Sequence, residues 1–159
     1  MVEYRAARPE DLPALLPLVE AFARERAAAQ GHQVLRPDFM EHARAGMEQA
    51  LAHPAAFVIL AEEQGEPVGY GVGTLQEPPP PFEPRPYIFI SDLYVRPDRR
   101  GQGIGTALVE RIRGWGLVKG VYRLSMVVPL SIPAAVRLGA RLGFRPVEQL
   151  LFWQDPSDE

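Results

Sequence analysis

No cysteine occurs among the 159 residues. That absence excludes disulfides, a thiolate nucleophile, cysteine zinc sites and iron–sulfur ligation, and it leaves no argument for an oxidising compartment. Lysine is almost missing too: Lys119 stands beside 16 arginines, so a Walker A loop, which needs Gly-Lys-Ser/Thr, is excluded. Histidine is confined to His32, His42 and His53, ten and eleven residues apart with no carboxylate at ligand spacing, and no metal is expected. No uncharged run approaches the roughly 18 residues of a membrane span, and Met1-Val-Glu-Tyr-Arg5 lacks the apolar core of a signal peptide. Positive charge is not in excess either: 17 basic against 20 acidic residues leave −3, which recommends neither nucleic acid nor a membrane as partner. A cytoplasmic protein is the expectation.

What is present is the balance of an ordinary globular chain, 47% apolar and 23% charged, and the length predicts a single domain over 1–159. Alternation in Val2, Tyr4 and Ala6 predicts a first strand. Leu12, Leu15, Leu16, Val19, Phe22 and Ala23 recur at helical spacing, as do Met40, Ala43, Met47 and Leu51 after Pro37. Ala56–Ala61 and Val68–Leu75 read as a hairpin around Glu63-Gln64-Gly65-Glu66. Gly69, Gly71 and Gly73 alternate on the second of these strands and leave a groove for close approach. A proline-rich connector, Glu77 to Pro86, leads to Tyr87–Val95, the strongest strand signal in the chain. A helix from Ile104, a strand from Tyr122 to Val128, a short helix from Ala134 to Leu142 and a last strand from Pro146 to Trp153 complete the order β α α β β β α β α β.

The chemistry concentrates in Arg99-Arg100-Gly101-Gln102-Gly103-Ile104-Gly105-Thr106, between the strongest strand and an amphipathic helix. Free N–H groups at a helix start bind anions, and glycines remove the side chains that block approach. A Rossmann loop is excluded because Gly103-x-Gly105 is followed by Leu108 instead of glycine. The segment Arg100 to Gly105 resembles the Q/R-x-x-G-x-G/A motif of the GNAT superfamily of N-acetyltransferases. Asp92 to Leu108 is similar to that family's fourth strand, pyrophosphate loop and third helix read straight through. Arg141-Leu-Gly-Phe-Arg145 resembles the exit of its fourth helix.

The resemblance implies an α/β fold with a GNAT-like mixed, mostly antiparallel sheet and flanking helices. It also implies a cleft for acetyl-CoA where the fourth and fifth strands splay beside a β-bulge. Carried over by position, Leu93, Tyr94 and Val95 would meet the pantetheine and acetyl group. Arg100, Gly101, Gln102, Gly103, Ile104, Gly105 and Thr106 would hold the pyrophosphate, with charge from Arg99 or Arg100. The reaction implied is direct acetyl transfer to a primary amine. A lysine-like amine of pKa about 10.4 is more than 99% protonated at pH 7, so a base must take its proton. Asp92 is placed for that, and orienting backbone or pairing with an arginine is the alternative. A backbone N–H near Leu93 would hold the developing oxyanion.

Two departures stand out. Where the family commonly carries a fourth-helix Tyr that protonates the departing thiolate, this chain has Gly139, and where an Asn commonly precedes that helix it has Ile132. Ser131 or water is the expected substitute for the acid. A non-catalytic acyl-CoA-binding or sensor domain is one alternative function. Transfer of a bulkier acyl group, accommodated by Gly69, Gly71 and Gly73, is another. The acceptor is a small-molecule or peptide amine, otherwise unspecified. Leu150-Leu-Phe-Trp153, apolar on both faces, predicts burial against a second copy in a homodimer.

Overall fold

The computed structural model describes residues 1–158. The chain runs β1 (Val2–Ala6), α1 (Leu12–Gln30), α2 (Phe39–Ala52), β2 (Ala56–Glu63), β3 (Glu66–Gln76), β4 (Tyr87–Val95), α3 (Ile104–Val118), β5 (Leu124–Met126) and α4 (Pro133–Arg141). Five strands form one sheet in sequence order, antiparallel from β1 to β4 and parallel between β4 and β5. The fold is therefore mixed α/β with a mostly antiparallel sheet. The β2–β3 turn is only Gln64-Gly65, both at positive φ (51° and 79°), the backbone that a two-residue hairpin requires. Among the described residues no helix is long and apolar enough to cross a membrane.

Each face of the sheet has its own core. Leu12, Leu15, Leu18, Val19 and Met47 from α1 and α2 cover Val58, Leu60, Tyr70, Val72 and Tyr94. On the opposite face Ile104, Leu108, Val109 and Ile112 of α3 pack against Ile59, Ala61, Ile88 and Ile90. The alternating glycines belong to this second core. A Cβ on Gly73 would lie 2.7 Å from Ile112 Cγ2, and one on Gly69 would lie 2.8 Å from the Tyr94 carbonyl oxygen. The groove they leave is filled by α3, so these glycines give no room to a longer acyl chain.

Alternation along β4 is interrupted once. Val72 pairs with Asp92 and Gly73 with Ile90, which leaves Ser91 as a bulge. Before it Ile88 and Ile90 face α3; after it Tyr94 joins the α1/α2 core. The extra residue reverses which face even-numbered side chains take. Asp92 is thereby kept out of the α3 core and faces the α1/α2 side, beside Tyr70.

The expected last strand does not form. Residues 144–153 have no strand structure, and Leu150, Leu151, Phe152 and Trp153 are 79%, 81%, 60% and 79% exposed. β5, expected over Tyr122–Val128, is only three residues long and pairs with β4 on one side alone. Apolar content at 150–153 raised the expectation of a strand, but a strand needs a partner edge, and within one copy none is joined to it.

Candidate active site

β4 and β5 pair through Ile88, Ile90 and their partners Leu124 and Met126, and the ladder stops there. Beyond the bulge the strands part, and a cleft of about 470 Å³ opens between Leu93–Val95 on one side and Met126–Pro129 with α4 on the other. The Arg96 N–H donates to the Val68 carbonyl on β3. Strand alternation then turns the backbone groups of Leu93 and Val95 away from β3 and toward the cleft. The Val95 carbonyl is reached there by Arg100 Nε at 2.8 Å. Tyr94 pairs with Tyr70 across β3 and contributes its side chain instead, beneath the Arg100 guanidinium at 5.4 Å.

At one end of the cleft lies the start of α3. Gly101 and Gly103 have φ of 77° and 83°, and a Cβ on either would meet nothing within 4 Å. Left-handed glycines on either side of Gln102 give the kind of backbone turn that forms an anion-binding concavity. Among the described residues no N–H of residues 101–106 has a backbone partner outside the helix, and those of the first turn have none within it. Gly101, Gly103, Ile104, Gly105 and Thr106 line the cleft, whereas Gln102 is exposed outside its lining. Both arginines at the mouth are paired, Arg99 with Glu63 and Arg100 with Glu25 of α1. The cradle itself is backbone, a set of N–H donors of the kind that binds anions.

Asp92 does not line this cleft: it lies on the α1/α2 face of β4, in the wall of a second cavity that shares Phe22, Arg26 and Ser91 with the cleft. The Tyr70 hydroxyl donates to Asp92 Oδ2 at 2.7 Å. Burial, reinforced by the adjacent carboxylate, pushes the Tyr70 phenol far above its ordinary range, so it stays protonated and remains the donor. Phe22 packs edge-on against both Tyr70 and Tyr94, with centroids 6.3 Å away in each case. Tyr70 was not among the residues singled out from the sequence. Its isolation between Gly69 and Gly71 was the available signal, but only strand pairing puts it next to Asp92.

Ser131 is not brought into the cleft. Its Oγ donates to the Ala29 carbonyl at 2.8 Å, and its neighbours Pro129 and Ile132 form the wall instead. Gly139 is buried, and a Cβ there would approach Met126 Cε at 3.3 Å. Met126 fills the space toward which a larger residue at 139 would extend. The histidines stay apart: His42 meets Asp38 at 3.2 Å, His53 accepts from the Ala55 N–H, and His32 contacts Phe152.

Residues 18–144 match the acetyltransferase (GNAT) family. The chain belongs to that family. It is 32% identical over 132 residues to mycothiol acetyltransferase of Acidothermus cellulolyticus, covering 83% of this chain but 36% of that protein. It is 27% identical over 110 residues to aminoglycoside N(6')-acetyltransferase type 1 of Klebsiella aerogenes, covering 67% of this chain and 70% of the relative. The aminoglycoside acetyltransferase AAC(6')-Iy, solved in complex with CoA, superposes with a TM-score of 0.78 at 17% identity, over 98% of this chain and 95% of the other. That likeness establishes the GNAT fold for the whole chain.

Proposed function

We propose that this GNAT protein is an acetyl-CoA-dependent N-acetyltransferase that acts on a primary amine in the cytoplasm. The observation that carries the reading is the meeting of two cavities. The N–H cradle and the open edge of β4 line the cleft, and Asp92 lines the second cavity, which shares Phe22, Arg26 and Ser91 with it. Acetyl-CoA, when bound, supplies an acetyl group activated as a thioester. Residues 101–106 hold the pyrophosphate, and Leu93 and Val95 offer backbone groups to the pantetheine, with Arg100 bracing the loop against α1. The amine nitrogen bonds to the acetyl carbon as the carbon–sulfur bond breaks. Asp92 takes the amine proton, directly or through water, while Tyr70 holds the carboxylate in place. The thiolate leaves with its electron pair. A thiol of pKa about 8.5 is a tolerable leaving group without a dedicated acid, so water suffices where Gly139 stands.

Calorimetric titration with acetyl-CoA and a free-thiol release assay over an amine panel test the two halves separately. Binding without turnover of any amine would favour the sensor alternative.

Tyr70→Phe is expected to lower kcat about tenfold, because the Asp92 carboxylate loses the hydrogen bond that orients it. An unchanged kcat in the folded variant would make the Tyr70 hydroxyl purely structural.

We also propose that the exposed segment at 150–153 is covered by a second copy of the chain. The outer edge of β5 is open, and four consecutive large apolar side chains left in water at this density mark an association surface. Sedimentation at micromolar concentration is expected to give a dimer for the full chain; a monomer overturns it.

A further inference from the structure

A second cavity, of about 990 Å³, lies between α1, α2 and the face of β3 and β4 that carries Val72 and Asp92. Phe22, Arg26 and Ser91 line both this cavity and the cleft. Those three residues form the junction of the two cavities.

Few charged side chains line the second cavity. Asp92 is the one carboxylate lining the second cavity among the described residues, against Arg26 and Arg36. Arg36 is paired with Asp38 at 2.9 Å. Arg26, half-buried, has no ion pair and no side-chain hydrogen bond among the described residues; its guanidinium rests over the Phe22 ring at 5.7 Å. Stacking on an aromatic face fixes a guanidinium without using its in-plane donors. A partly desolvated cation with its fork free is satisfied best by a planar anion, and a carboxylate matches it with two parallel hydrogen bonds. Asp92 likewise has no ion pair in the described residues, and its hydrogen bond comes from the neutral Tyr70 hydroxyl.

We propose that the acceptor is a small α-amino carboxylate with an apolar side chain, read through its carboxylate by Arg26. This rests on the acetyltransferase reading above and narrows it. The amine faces the junction with its proton directed to Asp92. The carboxylate on the adjacent carbon meets Arg26, and the side chain enters the apolar space beside Val19, Leu35, Phe39 and Met47. During transfer the nitrogen–carbonyl bond forms and the thioester bond breaks; the amine proton passes to Asp92, and the carboxylate remains paired throughout. A polycationic acceptor has only one carboxylate to meet in this wall, and Arg26 repels it.

The test compares each amino acid with the amine that lacks only the carboxylate: phenylalanine with phenethylamine, leucine with isoamylamine, and spermidine as the polycation. For the native chain kcat/KM is expected to favour the amino acid of each pair by about 10- to 100-fold, the range of a charge-assisted pair. Arg26→Gln is expected to bring that ratio close to one, and Arg26→Lys to restore part of it. Acetyl-CoA titration of both variants checks that the change lies with the acceptor. Equal or better use of the carboxylate-free amines, preference for spermidine, or an unchanged ratio in Arg26→Gln overturns the proposal. So does failure of every amino acid in a protein that binds acetyl-CoA, which leaves the cofactor assignment standing. Failure to bind acetyl-CoA at all would strike the broader reading instead.

Discussion

Gly103→Glu is expected to yield a folded protein whose affinity for acetyl-CoA falls by about 100-fold or more, because the substitution acts on the cradle in two ways. Gly103 sits at φ 83°, and any L-residue there costs roughly 1–3 kcal/mol of backbone strain. The new side chain also starts in open space at the cleft and brings a carboxylate to the place prepared for a phosphate. Gly103→Ala separates the two effects: it carries the strain without the charge and is expected to lose far less affinity. Circular dichroism and thermal unfolding check that both variants are folded, and calorimetry reads the affinity. Unchanged binding by folded Gly103→Glu would move the pyrophosphate away from the start of α3.

Asp92→Asn is expected to reduce kcat by roughly 10²- to 10⁴-fold, the usual contribution of a positioned general base. The substitution is close to isosteric, and the new amide oxygen still accepts from the Tyr70 hydroxyl, so the surroundings hold their shape. The loss should be greatest below about pH 8, where a basic amine is almost wholly protonated and depends most on help. An acceptor of lower basicity is expected to recover part of the rate. Affinity for acetyl-CoA should not change, because Asp92 lines the second cavity and not the cleft that holds the cradle. An unaltered pH profile would assign Asp92 to structure alone.

These two predictions draw on different levels of information. The cradle was legible in the sequence because its determinants are local. Gly101 and Gly103 supply the left-handed backbone, Ile104 begins an amphipathic stripe, and β4 announces itself by composition. The same holds for the helices and for the β2–β3 hairpin, whose turn residues and periodicity lie within a few positions of one another. Ser131 shows the limit of such reading. Its place before α4 was right, yet its hydroxyl is taken by a carbonyl of α1 more than a hundred residues earlier in the chain.

The sequence by itself determined the element types as far as α4, the glycine turn before α3 and the GNAT resemblance, since propensity, periodicity and glycine conformation act over short ranges. It did not determine the direction of Asp92, which depends on one bulged residue, Ser91, in the pairing of β4 with β3. Nor did it reveal the partnership of Tyr70 with Asp92, 22 positions apart, or the place of Arg26 where two cavities meet. The glycines of β3 looked like space for a ligand and proved to be the seat of α3. The segment at 150–153 looked like a strand and is exposed, because hydrophobicity shows that a segment seeks cover without showing where the cover is. Only tertiary structure decides such matters: strand register and helix docking are long-range choices, settled when side chains from distant parts of the chain compete for the same volume.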